Sequence, residues 1–247
     1  MNVLVTFALR FELAPWLRRR PFRRAKLGRY PCYETTLAGA TVRALLTGVG
    51  PAHAQAAMRA ALATRPDAVL ASGLSGGLKP SLDAGEVIAP RIVRSTDADH
   101  TLTCSPHLLD LAVRCGAQAV AAFISTTTIA RTREAKAALS NYADAVDMES
   151  FPILAEALHA GLPALALRCV SDSSRSDLPC DFSRMLDARG QLNPWQLALE
   201  PLRNPKAIPS LLRFARAGHR AAVRLAQFID VYLEHLAGKT RYKCTYH

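Results

Sequence analysis

No apolar run in this 247-residue chain reaches the roughly 18–20 residues needed to cross a bilayer. The opening Met1-Asn2-Val3-Leu4-Val5-Thr6-Phe7 lacks a basic segment and a small-residue cleavage site, so it reads as a first strand and not as a secretory signal. The six cysteines (Cys32, Cys104, Cys115, Cys169, Cys180, Cys244) form no C-x-x-C pair and share no metal-ligand spacing with the seven histidines. Reduced thiols in a cytoplasmic protein, with no metal and no cofactor, are the expectation. Acids are scarce: 20 against 31 lysines and arginines, a net charge of +11. That balance raises nucleic acid or an anionic membrane surface as partners. There is no C2H2 pattern, no aromatic RNA-binding motif and no internal repeat, so nucleic acid is not expected. The charge is also uneven. Arg18, Arg19, Arg20, Arg23, Arg24, Lys26 and Arg29 crowd one stretch, and Arg213, Arg216, Arg220 and Arg224 another.

Half of the residues are hydrophobic, enough for one compact core. Strand patterns at Val3–Thr6, Thr41–Leu46, Ala68–Ala71, Glu86–Val93, Ala119–Ile124, Ala143–Asp147 and Ala164–Val170 alternate with helical ones. The helices are expected at Glu12–Arg19, Ala52–Thr64, Pro106–Cys115, Thr132–Leu139 and Ser150–Ala160, where Pro152 fits a first turn. This alternation predicts a single α/β domain with a mixed central sheet flanked by helices. Residues 173–204 are polar and proline-punctuated. Ile208–Leu236 then reads as one long helix with an apolar seam of Leu211, Ala215, Gly218, Ala222, Leu225, Ile229, Tyr232 and Leu236. The four C-terminal arginines form a separate stripe on it, either a solvated face or a contact for anionic headgroups.

Three acids stand out. Glu149 and Asp172 each close a buried-strand pattern, and Glu12 follows the first strand. The carboxyl ends of strands are where open α/β sheets bind ligands. Acids at two such ends suit cleavage of a ribosyl C–N bond, whose oxocarbenium-like transition state is stabilised by fixed negative charge. Asp172 is the candidate acid for N7 of a departing purine, supported by Ser171. Glu149 would accept hydrogen bonds from the ribose hydroxyls, Met148 would pack on the sugar face, and Glu12 would take the proton of an attacking water.

In order along the chain, Glu12, the glycine-rich turn Ser72-Gly73-Leu74-Ser75-Gly76-Gly77-Leu78, Met148-Glu149, Arg168 and Ser171-Asp172 resemble the nucleoside phosphorylase and nucleosidase superfamily. The methylthioadenosine/S-adenosylhomocysteine nucleosidases are the nearest in pattern. The resemblance covers residues 1–178 and implies a three-layer α/β sandwich for this core, with residues 179–247 as a helical C-terminal extension of the same domain. It implies a homodimer, a small nucleoside as partner, an arginine (Arg168) organising the water site, and substrate contacts at Ser72, Ser75, Gly76, Ile129 and Ala130, with Phe182 over the base. The tail segments Leu178-Pro179, Asp187-Ala188-Arg189-Gly190, Asn204-Pro205 and Ile208-Pro209-Ser210-Leu211-Leu212-Arg213 look like the hopanoid-associated phosphorylases. That implies adenine removal from adenosylhopane, a lipid-tailed substrate met at the inner membrane face.

The chain departs from the family pattern at Phe7, which stands where nucleosidases carry glycine. Thr6-Phe7-Ala8-Leu9-Arg10 does not reproduce the phosphate loop of the phosphorylases. Glu12 would repel a phosphate dianion, so water is favoured as nucleophile; Arg10, Arg43 and Ser75 are the phosphate ligands if it is not. His53 reads as a helix-start residue, and Thr126–Thr128 as strand-end hydrogen bonders. Three functions remain open: an adenosylhopane-cleaving enzyme, a soluble methylthioadenosine-type nucleosidase or purine nucleoside phosphorylase, and a non-catalytic nucleoside-binding protein.

Overall fold

The computed structural model describes residues 1–193, 195, 196, 199 and 207–238, apart from the Lys26 side chain. Asn204-Pro205 and Cys244 lie outside them. The chain begins with β1 (Asn2–Phe7) and α1 (Arg10–Arg19), then a meander of β2 (Arg23–Leu27), β3 (Tyr30–Leu37) and β4 (Ala40–Leu46). After α2 (Pro51–Ala61) come β5 (Ala68–Gly77), β6 (Val87–Ser95), β7 (Ala98–Thr103), α3 (Pro106–Arg114) and β8 (Gln118–Ser125). Then follow α4 (Arg133–Ser140), β9 (Ala145–Asp147), α5 (Ser150–His159), β10 (Ala164–Asp172) and the long α6 (Ile208–Gly238). The single α/β domain and its mixed sheet are as expected. Strands β2, β3 and β7 went unforeseen, and most of the first basic cluster lies on the end of α1 and the β2–β3 hairpin.

The sheet runs β6-β8-β9-β5-β1-β4-β3-β2, and β10 pairs with both β6 and β5. Five strands (β5, β10, β6, β8, β9) therefore close a ring, from which β1, β4, β3 and β2 extend as an open sheet. β5 sits at the junction, parallel to both β1 and β10 and antiparallel to β9 at its end. Its first half, Ala68–Ala71, is fully buried, as strands covered on both faces must be.

One expectation is corrected here. Ser72–Gly77 is not a turn but the second half of β5, paired with β10 from Leu167↔Ser72 to Asp172↔Gly76. Glycine is needed where charged side chains press on the strand. A Cβ at Gly73 (φ +143°) would stand 2.5 Å from Arg168 Nη1 and 3.0 Å from Glu12 Oε1.

α6 matches its forecast closely and packs along β10 and α1. Its seam is buried at Gly218, Ala222, Leu225, Ile229 and Tyr232, whereas Ala215 is exposed. At that level Phe214 takes over the packing by stacking on Phe182, with ring centroids 5.1 Å apart. Near the other end, buried Asp230 accepts from Trp16 Nε1 at 2.7 Å, Arg19 Nε at 3.0 Å and Arg20 Nε at 3.1 Å. These bonds fix α1, the helix carrying Glu12, against α6. No helix among the described residues is long and apolar enough to cross a membrane.

Candidate active site

β10 brings Arg168 into the ring with no exposed surface, and three acids from three elements surround it. Arg168 Nη2 lies 3.0 Å from Asp147 Oδ2 and 3.5 Å from Glu149 Oε2. Its Nε and Nη2 also donate to Ser150 Oγ, at 3.2 and 3.1 Å. Glu12 completes the group across Gly73. Its Oε2 accepts from the Ala8 and Leu9 amides at 3.0 Å, and its Oε1 from the Leu74 amide at 2.8 Å. Glu149, at the N-terminus of α5, accepts from the Gly50 amide at 2.9 Å. A carboxylate has about four acceptor positions, so Glu12 and Glu149 each keep capacity for a ligand.

Three carboxylates around one guanidinium leave the group over-supplied with negative charge. Burial pushes Glu149 up to about 7, against the pull of Arg168, with Asp147 and Glu12 adding to the rise and the Gly50 amide opposing it. Burial likewise raises Glu12, while Arg168 and the three backbone amides pull it down. Burial alone would weaken the Arg168 cation; Asp147, Glu149 and Glu12 outweigh it and hold the guanidinium above its ordinary value.

Asp172 ends β10 in a different setting. Its Oδ1 accepts from Ser171 Oγ at 2.6 Å, and Ser171 Oγ also lies 3.2 Å from the Ser75 carbonyl. Its Oδ2 accepts from Lys136 Nζ at 2.5 Å. Lys136 has no exposed surface and spends its remaining protons on the Ser173 and Ser176 carbonyls, at 2.9 and 2.8 Å. Gly76 faces this carboxylate: a Cβ there would lie 3.4 Å from Asp172 Oδ2. The strand segment from Gly73 to Gly76, about 10 Å at the usual rise per residue, thus separates the acid cluster from Asp172. That span suits a nucleoside laid along β5.

Beside the cluster opens a cavity of about 490 Å³. It is lined by Val49–His53 at the start of α2, by Thr127–Ile129 and Arg131, by Met148, and by Asp181, Ser183 and Leu186. Of the expected contacts, Met148 and Ile129 line it. Ser72 and Ser75 are buried, each with its hydroxyl oxygen unpartnered. Ala130 packs against the small core patch of Leu78, Ile124 and Val146. Phe182 stacks on Phe214, and its neighbours Asp181 and Ser183 reach the cavity in its place. His53 begins α2 as expected, and it also lines the cavity.

The segment after Phe182 straps the site. Val49 N donates to the Gly190 carbonyl at 2.9 Å, and Gln191 Nε2 to the Ala8 carbonyl at 2.7 Å. Gly190 (φ +67°) abuts the Val49 backbone, where a side chain would clash.

Arg43 is a correction: it pairs with Glu34 on the neighbouring strand at 2.9 Å and is not a ligand of this site. Two members of the site went unnoticed in the sequence. Asp147 sits one residue before Met148-Glu149, within the same strand-end run that drew attention to Glu149. Lys136 had no local signal, since a single lysine on an amphipathic helix reads as solvated.

A family model described as the phosphorylase superfamily matches residues 3–187, three quarters of the chain. The chain belongs to the phosphorylase superfamily. Among relatives within it, the 5′-methylthioadenosine/S-adenosylhomocysteine nucleosidase of Shewanella baltica is 28% identical over 200 residues, covering 70% of this chain and 84% of that one. The corresponding enzyme of Shewanella oneidensis is 27% identical over 180 residues, 63% and 76% of the two chains. Among solved structures, native futalosine hydrolase of Helicobacter pylori superposes with a TM-score of 0.74 at 17% identity, over 95% of this chain and 98% of that one. The Neisseria meningitidis methylthioadenosine nucleosidase bound to methylthio-immucillin-A gives 0.73 at 21%, over 94% and 98%. The expectation of an enzyme of the nucleosidase type stands with this membership. One fold serves both a methylthioadenosine nucleosidase and a futalosine hydrolase, so the fold alone does not fix the substrate.

Proposed function

We propose that the protein hydrolyses the N-glycosidic bond of an adenine nucleoside. The observation that carries this reading is the group of three buried carboxylates on one guanidinium beside an open cavity. A binding module gains nothing from burying that excess charge, whereas a cationic sugar transition state is stabilised by it. Glu149 holds the ribose hydroxyls, Met148 and Ile129 face the nucleoside, and Glu12 takes a proton from water that Arg168 helps to orient. Ser72, Ser75 and Gly76 meet the nucleoside from β5, and Asp172 with Ser171 protonates the base. Water is the nucleophile: a phosphate dianion would meet the acid cluster, and Arg43 is committed to Glu34.

For the fuller substrate we propose adenosylhopane, in hopanoid biosynthesis, handled by a cytoplasmic homodimer at the inner membrane face. Support comes from the tail motifs and from Phe11, Ile208 and Leu212, apolar residues 38%, 37% and 51% exposed. The stripe Arg213, Arg216, Arg220 and Arg224 is exposed and makes no ion pair among the described residues. Each arginine near an anionic surface contributes about 1 kcal/mol, screened by salt. The methylthioadenosine-type reading is favoured by the relatives and needs none of these features. Adenine release from methylthioadenosine and from an adenosine bearing a long 5′-alkyl chain, with and without anionic vesicles, separates the two. Turnover of the short substrate only, with no vesicle binding at low salt, rejects the lipid reading; adenine release from neither rejects the nucleosidase itself.

A further inference from the structure

The role given to Asp172 raises a question of proton supply. An acid that protonates N7 must hold a proton, yet in this site both Asp172 oxygens accept hydrogen bonds, from Lys136 Nζ and from Ser171 Oγ. The pair of Lys136 and Asp172 supplies the missing proton. An ammonium beside a carboxylate has the same proton count as a neutral amine beside a carboxylic acid, and one shift across the 2.5 Å contact converts one into the other. Lys136 is the cation on this carboxylate. Arg133 pairs with Asp177 at 3.6 Å, Arg175 donates to the Pro80 carbonyl, and Lys79 to the Ser140 carbonyl. The segments of β5 and β9 that meet the pair offer Gly76 and Val146.

Resting on the nucleosidase reading, we propose that Lys136 is a positioning residue acting through Asp172: it supplies the proton that Asp172 delivers to the leaving purine. An Nζ–H bond breaks as an O–H bond forms at Asp172 Oδ2, and that O–H breaks as N7–H forms. The C1′–N9 electron pair leaves with the base. The water oxygen bonds C1′ while its proton passes to Glu12. Lys136 ends as a neutral amine beside the Asp172 carboxylate, a pair one proton short of its resting state. Solvent returns its proton, and Glu12 releases one, once the products have left.

The alternative is that Lys136 only ties α4 to the loop at Ser173–Ser176. Arginine at this position keeps a charge and several donors but does not deprotonate in proteins. Adenine release by wild type, Lys136→Gln and Lys136→Arg is measured from pH 5 to pH 9, with binding of a non-cleavable C-nucleoside confirming folded sites. Both variants should lose about 10²–10³ of kcat at pH 8, and Lys136→Gln, which leaves no cation on the carboxylate, should recover toward pH 5 while Lys136→Arg should not. Near-normal kcat in Lys136→Arg, or a loss in Lys136→Gln that is equal at every pH, overturns the proposal. The wild type tests it without any variant: kcat should not fall between pH 7 and pH 8, as it would if a solvent-loaded carboxyl were the donor. Absence of adenine release by the wild type would instead reject the nucleosidase reading.

Discussion

The two ends of the β5 segment carry opposite electrostatic designs. Around Arg168, three carboxylates compete for one cation, and burial drives Glu149 up to about 7. At Asp172, one carboxylate meets one ammonium, and every Lys136 proton has an acceptor. The first end is primed for positive charge that a ligand must bring. The second is internally neutral and holds a proton in reserve. A glycosidic bond polarises in just this sense as it breaks, the sugar becoming cationic and the base anionic. The contrast between the two ends, more than any one residue, makes the site suited to the reaction.

The contrast breaks most severely at the neutral end. Asp172→Asn should lower adenine release by about 10²–10⁴ and also lower the melting temperature, since it leaves the buried Lys136 ammonium without its anion. Steady-state kinetics with calorimetry checks both halves. Next in size, Arg168→Met leaves three buried carboxylates without their cation and should cost about 3–5 kcal/mol of stability, as loss of one partner from a buried pair does. Denaturant titration at pH 7.5 measures it, and the deficit should shrink at pH 5 as the acids take up protons.

Glu149→Gln sharpens the comparison through pH. The carboxyl is raised in the folded protein, so its contribution to stability is fully present below its unfolded value of 4.5 and is lost as pH rises through about 7. The variant should therefore be more stable than wild type at pH 8, by up to about 3 kcal/mol, and equal to it at pH 4. It should also be a poorer catalyst, because the charge facing the sugar is gone. A stability advantage over wild type no larger at pH 8 than at pH 5 would show that Glu149 is not held against ionisation. Smallest of all, Arg43→Gln should leave kcat/KM unchanged and alter stability by under about 1 kcal/mol, the range for a partly exposed pair. A large rise in KM for phosphate would return Arg43 to the site.

Much of this was legible in the sequence, for identifiable reasons. Glu149 and Asp172 are marked by the apolar runs before them, and the seam of α6 by its periodicity, because those patterns are local. The edge strands escaped notice because Arg23–Leu27 and Ala98–Thr103 carry polar residues where a half-buried strand would alternate cleanly. Ser72–Gly77 reads as a turn by composition; only its pairing with β10 makes it a strand. Arg43 looked available because its partner Glu34 lies opposite it across the β3–β4 register. Lys136 was invisible for the same reason: its acceptors, Asp172, Ser173 and Ser176, are 36 to 40 residues away.

The central claim, that the acid cluster admits water and excludes phosphate, is tested most directly by running the reaction on an adenine nucleoside in phosphate buffer made with ¹⁸O-labelled water. Hydrolysis gives a free sugar carrying one ¹⁸O at C1, at a rate unaffected by phosphate. A sugar 1-phosphate, or a rate that rises with phosphate concentration, contradicts it.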